Sequence, residues 1–493
     1  MSTMFVNNFA SAVHEDMRTA INRLWRRLRV LDLGRVCEEI DGLDKDIEAL
    51  GAIAADEFRS ELIMLRAIAL GLLDDDGSLL ALVRSPAFSS GAGCDGALAV
   101  SLYRLAQWKC GELQNFHAQR RIGAAAQQGD VRVLAFDLAL DAAVELQQLR
   151  LGVARRLAQQ SDELESSVRR KSPALLFGGV LLAQLLYEQG ELAEAERWLR
   201  DHLPSIRNRA CAEVAIRCYV LLARIAVDRN NGDLAIVLLR DGIALGDSRG
   251  WDRLAAVCEQ EWIGILLRAG NLEEASKRAA RMQSRWPGAD PGDNGVGAAV
   301  MLARCRTLLA GGFVAEAVVG LRWLIELADA RGDAYSSVQL QIRVAEALGS
   351  DVDQSAAIEA LLAALEIGAS AGLYQSFVSA GPAIMHLIAR AQDRLARDAN
   401  GRHFLHPYVC SLLGRRTVRP VTRARQIRLF GPLSSREHTI LALMRHGSSN
   451  KLIAKQLGIA PETVKSHAKR IFIKLGAQTR VEAVVKAASL SLI

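Results

Sequence analysis

The chain has 493 residues, 50% of them hydrophobic, with 10 prolines and a formal charge of +6. This is enough apolar material for two or more domains or one long repeat array, and it excludes disorder for most of the length. An abundance of Ala, Leu and Arg, which lose little rotamer freedom in a helix, predicts an all-α protein.

The N-terminus, MSTMFVNNFASAVHEDM, has no basic start followed by an apolar run, so it does not read as a secretory signal. Helical patterning begins at once, and no G-x-x-x-x-G-K-[ST] occurs anywhere, which argues against ATP-driven switching. The most apolar stretch, PALLFGGVLLAQLL, is broken by Gln184 and falls short of the roughly 20 residues of a membrane helix. The expectation is a cytoplasmic protein with no membrane association. Eight cysteines, at 37, 94, 110, 211, 218, 258, 305 and 410, form no C-x-x-C pair and have no zinc-finger spacing. They read as small core residues in a reducing compartment, with no metal and no cofactor implied.

A period of about forty residues organises the body. YEQGELAEAERWL, LRAGNLEEASKRA and LAGGFVAEAVVGL each place a glycine (Gly190, Gly270, Gly312) five residues before an alanine (Ala195, Ala275, Ala317). The spacing suits a tight turn followed by a close helix–helix contact. DRNNGDLAIVLL joins the series if Asn230 takes the glycine's place before Ala235, since Asn also tolerates left-handed geometry. The alanines are separated by 40, 40 and 42 residues, and the series continues to Ala356, 39 further on. Upstream, Gly111 precedes Phe116 and Asp76 precedes Ala81 in the same way. About eight helical pairs before residue 395 are predicted, stacked into a right-handed solenoid with a concave surface able to hold a peptide or a small molecule. The triplet Asp74, Asp75, Asp76 is expected to cap or end a repeat helix.

LLYEQGELAEAERWL and residues 356–387, AAIEALLAALEIGASAGLYQSFVSAGPAIMHLI, resemble the tetratricopeptide-like (TPR-like) region of the MalT-like, large ATP-binding LuxR regulators. The resemblance is close over 170–390 and loose before that. It implies a sensor or interaction domain over residues 1–395, here without the family's front ATPase module.

From Arg402 to Ile493 there are 17 Lys or Arg against 3 acids, Glu437, Glu462 and Glu482, leaving 44 basic and 52 acidic residues upstream. A mildly acidic body therefore carries a basic tail, and a polyanion partner belongs to the tail. Residues 396–430 lose helical periodicity, gain Gly, Pro and Arg, and read as a basic linker. Residues 431–493 read as four short helices. Ser434-x-x-Glu437 is a capping box, Ser449 caps a second helix ending at Leu457, GIA turns into a third helix starting at Pro461, and Thr479-x-x-Glu482 opens a fourth. In the third helix Val464, Ala468, Ile471, Phe472 and Leu475 share one face, while Lys465, Ser466, Lys469 and Arg470 lie opposite. A short glycine-containing turn between two helices, the second basic, is a helix-turn-helix, whose lysine face suits a major groove.

LSSRE, GSSNKLIAKQL, PETVKSHAKRIFIKL and TRVEAV together resemble a LuxR-type DNA-binding domain. The resemblance implies Lys465, Ser466 and Lys469 as base readers, and Asn450, Lys451, Thr463, Arg470 and Lys474 as phosphate anchors on double-stranded DNA. It also implies two copies on DNA through the fourth helix, although a short Ala/Val stripe buries little area. His467 reads as packed or phosphate-facing. Ala460 replaces a common capping serine and Leu452 a frequent glutamate, both losses of capping rather than of the lysine face. Glu462 lies near that face, where it either favours the helix N-terminus or accepts a hydrogen bond from cytosine. With no nucleophile elbow, metal-ligand set or phosphate-cradling loop, an enzyme is not expected, and no residue reads as catalytic. Two readings follow: a transcription regulator sensing a small molecule or protein, or an interaction scaffold with an auxiliary or silent DNA-binding tail.

Overall fold

A computed structural model describes residues 2–29, 33–48, 52–85, 97–118, 131–167, 176–292, 295–349, 354–397, 405–414, 434–445, 448–475, 477, 479–480, 483–484 and 487. No strand occurs among these residues, and none of their helices is long and apolar enough to cross a membrane. They form two compact units. One comprises residues 1–185 and 192–334, the other 186–191 and 335–493.

In the first unit antiparallel helical pairs recur, among them Val131–Gln147 with Leu151–Ser167, Ala212–Asp228 with Gly232–Arg249, Asp252–Arg268 with Leu272–Arg285, and Val296–Ala310 with Val314–Ala330. The turn inside each pair has one geometry. Asp74, Gly111, Leu149, Asn230, Gly270 and Gly312 have φ between 58° and 85°. At Asn230 the next amide, of Asn231, bonds back to Ala226 O (2.8 Å) while the Asn230 amide reaches Val227 O (2.8 Å); Gly270, Gly312 and Leu149 repeat both bonds. This is the Schellman closure, which satisfies carbonyls that the end of a helix leaves without donors. In the second unit Gly190 (φ 80°) does the same. Asn231 and Asn271 then cap the returning helices, accepting hydrogen bonds from the Leu234 and Glu274 amides at 3.1 and 3.2 Å.

Five residues after the turn a side chain is buried. Ala154, Ala195, Ala235, Ala275 and Ala317 are fully or almost fully buried, and so is Phe116. Three details correct the sequence reading. Ala356 is exposed and Ala357 is the buried one, which restores a spacing of 40 from Ala317. In the first aspartate-containing turn it is Asp74 (φ 67°), not Asp76, that adopts the left-handed conformation, and Leu79, not the exposed Ala81, that is buried. The Leu149–Ala154 turn has no residue that announces positive φ, so side-chain type could not reveal it. Asp75 caps the Asp76–Arg84 helix through the Ser78 amide (3.1 Å), as the aspartate triplet suggested.

The first unit is also tied together over long sequence distances. The indole of Trp251, fully buried, donates to Leu72 O (2.8 Å), and Arg253 pairs with Asp74 (2.9 Å). Asp74 also meets Lys109, which holds Asp76 at 2.7 Å, and Arg253 reaches Glu213 (2.7 Å). Burial alone would raise the Asp74 carboxyl, but Arg253 and Lys109 outweigh it and hold it well below the usual carboxylate range. Asp76, with burial opposed only by Lys109 and Arg253 and reinforced by the charge of Asp74, is pushed up to about 6. Arg104, 1% exposed, bridges Asp137 and Asp141 at 2.9 and 2.8 Å and stacks on Phe116.

The second unit contains the helices Ala334–Gly349, Gln354–Ala371 and Pro382–Arg397. Within it the fully buried Glu188 accepts from the Tyr335 hydroxyl (2.6 Å) and the Ser376 hydroxyl (2.8 Å). The segment expected to lack helical periodicity contains a helix, His406–Gly414, which packs on Pro382–Arg397 and carries the buried Tyr408, Val409 and Leu412. The Pro and Arg content that suggested a linker is concentrated in residues 415–432, which lie outside the described residues. Described cysteines are free: Cys211, Cys218, Cys258 and Cys305 are buried, and Cys37, Cys110 and Cys410 half-buried.

Candidate nucleic-acid interface

The terminal module begins with Ser435–Arg445, and its capping box is reciprocal. The Glu437 amide donates to Ser434 Oγ (3.2 Å), and the Ser434 amide donates to Glu437 Oε2 (2.7 Å). The second helix, Asn450–Leu457, is capped by Ser449, whose hydroxyl accepts from the Leu452 amide (3.3 Å). Leu452 itself is 45% exposed and returns nothing to the cap. Gly458 (φ 63°) ends the helix, with the Ile459 amide reaching back to Ala454 O (3.1 Å). The tight turn can form because glycine has no Cβ to clash in the left-handed region.

The third helix, Pro461–Leu475, follows. Ala460 offers no side-chain cap; only its carbonyl engages, accepting from Thr463 and Val464. Val464, Ala468 and Ile471 are buried against Ile440, Leu441, Met444, Ile453 and Ala454 of the first two helices, with Phe472 packed at the edge. Ala483 and Ala487 complete this core, and the described residues 480, 483, 484 and 487 are helical. The apolar stripe fixes the helix's rotation, so its opposite face is left to solvent. Lys465, Ser466, Lys469 and Arg470 are all exposed there, with Thr463 and Lys451 exposed nearby.

Several predicted site residues have partners within the module. Lys465 Nζ lies 2.7 Å from Glu462 Oε1, and Ser466 Oγ donates to Glu462 O (3.1 Å). Asn450 is half-buried and its carbonyl oxygen accepts from Arg480 (3.4 Å). Lys474 falls within the third helix, but its side chain lies outside the described residues, as does Glu482 of the second capping box. His467 is half-buried and its Nδ1 has no hydrogen-bond partner; burial, then the nearby Arg470, lowers its pKa.

Arg480 was not singled out from the sequence. Its guanidinium donates to the Met444 and Ser448 carbonyls as well as to Asn450, strapping the turn between the first two helices to the start of the fourth. An arginine just after a helix-opening threonine carries no periodic signal of such a role. Arg436 similarly donates to Leu457 O (2.8 Å), closing the second helix's C-terminus. Among the described residues no group of three or more His, Cys, Asp or Glu is arranged to hold a metal ion.

Three helices packed on one apolar stripe, with the basic face of the third turned outward, define a helix-turn-helix module of the LuxR type. Residues 431–487 match the model of bacterial regulatory proteins, luxR family. Residues 109–394, more than half the chain, match that of the MalT-like TPR region, and the chain belongs to this family. The HTH-type transcriptional regulator MalT of Serratia proteamaculans is 32% identical over an alignment of 157 residues that covers 28% of this chain and 17% of that protein. The monoamine regulon transcriptional regulator of Klebsiella aerogenes is 46% identical over 52 residues, 10% of this chain and 23% of that one. The chain thus covers only a small part of these relatives' length. The crystal structure of a Rap protein complexed with competence and sporulation factor superposes with a TM-score of 0.55 at 12% identity, covering 73% of this chain and 99% of that one. At that identity the likeness concerns the fold alone.

Proposed function

We propose that this protein is a DNA-binding transcriptional regulator in which residues 431–493 read promoter DNA, residues 1–395 sense a small molecule or a protein partner, and residues 396–430 link the two. The observation that carries this reading is the outward lysine face of Pro461–Leu475, held in place by the buried Val464, Ala468 and Ile471. Lys465, Ser466 and Lys469 take the role of base readers. Lys451, Thr463, Arg470 and Lys474 anchor phosphates, and Asn450 does so while braced by Arg480. Two copies meet on DNA through the fourth helix.

The test is binding of the full chain to its cognate duplex. Lys469→Ala is expected to weaken cognate binding by about 1–3 kcal/mol and to spare non-cognate DNA, as loss of a base contact does. Equal loss on every duplex would reassign Lys469 to phosphate. The sensing arm is tested by a thermal-shift screen, since a ligand of the folded state raises apparent stability. One feature favours a protein over a small molecule on the repeat body. Phe313, Val319 and Trp323, on or beside the Val314–Ala330 helix, are 57%, 70% and 42% exposed, and apolar groups this open on one element suit a partner surface. Co-purification of a protein lost in Trp323→Ala would support that reading.

A further inference from the structure

Glu462 is out of place on a surface meant for a polyanion. The module from 431 onward carries three acids, Glu437, Glu462 and Glu482. Glu437 is 3% exposed and occupied in its capping box, and Glu482 stands three residues after Thr479 in the second box pattern. Glu462 is different: its side chain is 79% exposed. Its position relative to Lys465, Ser466 and Lys469 is i, i+3, i+4 and i+7, so the four share one stripe of the helix, opposite the buried Val464, Ala468 and Ile471. Two contacts confirm the adjacency: the 2.7 Å pair with Lys465 and the bond from Ser466 Oγ to Glu462 O. A lone carboxylate on this stripe would be repelled by phosphate. One already coupled to an ammonium group is not; it adds an acceptor beside a donor at no net charge.

In the major groove a G·C pair presents the guanine N7 and O6 acceptors next to the cytosine N4 amino donor, a pattern that no other pair offers in that order. A lysine and a carboxylate held side by side are its complement. Resting on the DNA-reading function proposed above, we infer that Glu462 and Lys465 act as one preassembled donor–acceptor couple that reads a single G·C pair, Lys465 on guanine and Glu462 on the cytosine amino group, so that Glu462 is a specificity-determining residue.

The experiment is selection of bound sequences from randomised duplex DNA by the full chain, repeated with Glu462→Ala and Glu462→Gln, each variant's thermal melt being recorded alongside. The wild-type chain should select a G·C pair at one position. Glu462→Ala should lose the preference there and nowhere else, with roughly tenfold or greater loss of discrimination against the reversed pair and tighter binding to unrelated DNA, because a negative charge has gone. Glu462→Gln, which can pair with both N6 and N7 of adenine, should shift that position toward adenine. Unchanged preferences at every position in both variants, with or without a lowered melting temperature, would leave Glu462 a helix N-terminal charge and overturn the inference alone. A wild-type chain that enriches no sequence would overturn the DNA-reading function and this inference with it.

Discussion

The repeat body and the terminal module use the same cations in opposite ways. In the body a set of them points inward: Arg104 and Lys109 are buried against Asp137, Asp141, Asp74 and Asp76, and Arg253 joins Asp74 to Glu213. In the module Lys465, Lys469 and Arg470 stand exposed along one side of one helix. Charge that is neutralised inside a fold specifies which helices meet, whereas charge left outside in a row is available to a partner. Arginine and lysine content alone does not distinguish the two; the scarcity of acids does, 3 from Arg402 to Ile493 against 52 upstream.

Breaking an inward pair should cost the most. Arg104→Ala leaves two buried carboxylates facing each other without their cation, and the expected loss is about 3–5 kcal/mol in urea unfolding. Lys469→Ala in the same titration should leave the midpoint unmoved; if both variants unfold alike, the contrast between the regions fails. Acid should find the inward set next. The Glu261 carboxyl is fully buried, which by itself raises its pKa, but Arg224 and Arg306 outweigh that and hold it at about 2. A folded pKa below the unfolded one gives stability that is complete above the ordinary carboxylate range and is lost as pH falls from about 4.5 toward 2, on the order of 3 kcal/mol. Glu261→Gln should flatten that part of an acid unfolding curve. In the module, Ser434→Ala removes one arm of the capping box and should lower stability by about 1 kcal/mol, read as a shift of the thermal midpoint. Smallest is the exposed Lys277–Glu273 pair on the body's surface, where Lys277→Ala should change stability by less than about 0.5 kcal/mol.

The site was more legible than its supports. Val464, Ala468 and Ile471 declared one face of the third helix by spacing alone, and burial of that face leaves the lysines outside. The caps at Ser434 and Ser449 were equally readable, because they bond over three residues of sequence. The Glu462–Lys465 couple is half legible: both residues stand out near the exposed face, but their pairing is a matter of side-chain placement. Arg480 was missed because it acts across the module, on carbonyls of residues 444 and 448 that any side chain there would leave available.

Sequence by itself determined the helical class, the forty-residue period and the left-handed turns at Gly111, Gly190, Asn230, Gly270 and Gly312, because each depends on a local preference: rotamer freedom, apolar spacing, or tolerance of positive φ. Tertiary structure decided the rest. Leu149 adopts positive φ although nothing in its side chain favours it, and Ala357 rather than Ala356 meets its neighbour. Trp251 and Arg253 close on Leu72 and Asp74, 179 residues away. Such contacts join residues far apart in the chain, and no local preference of a short stretch of sequence encodes them.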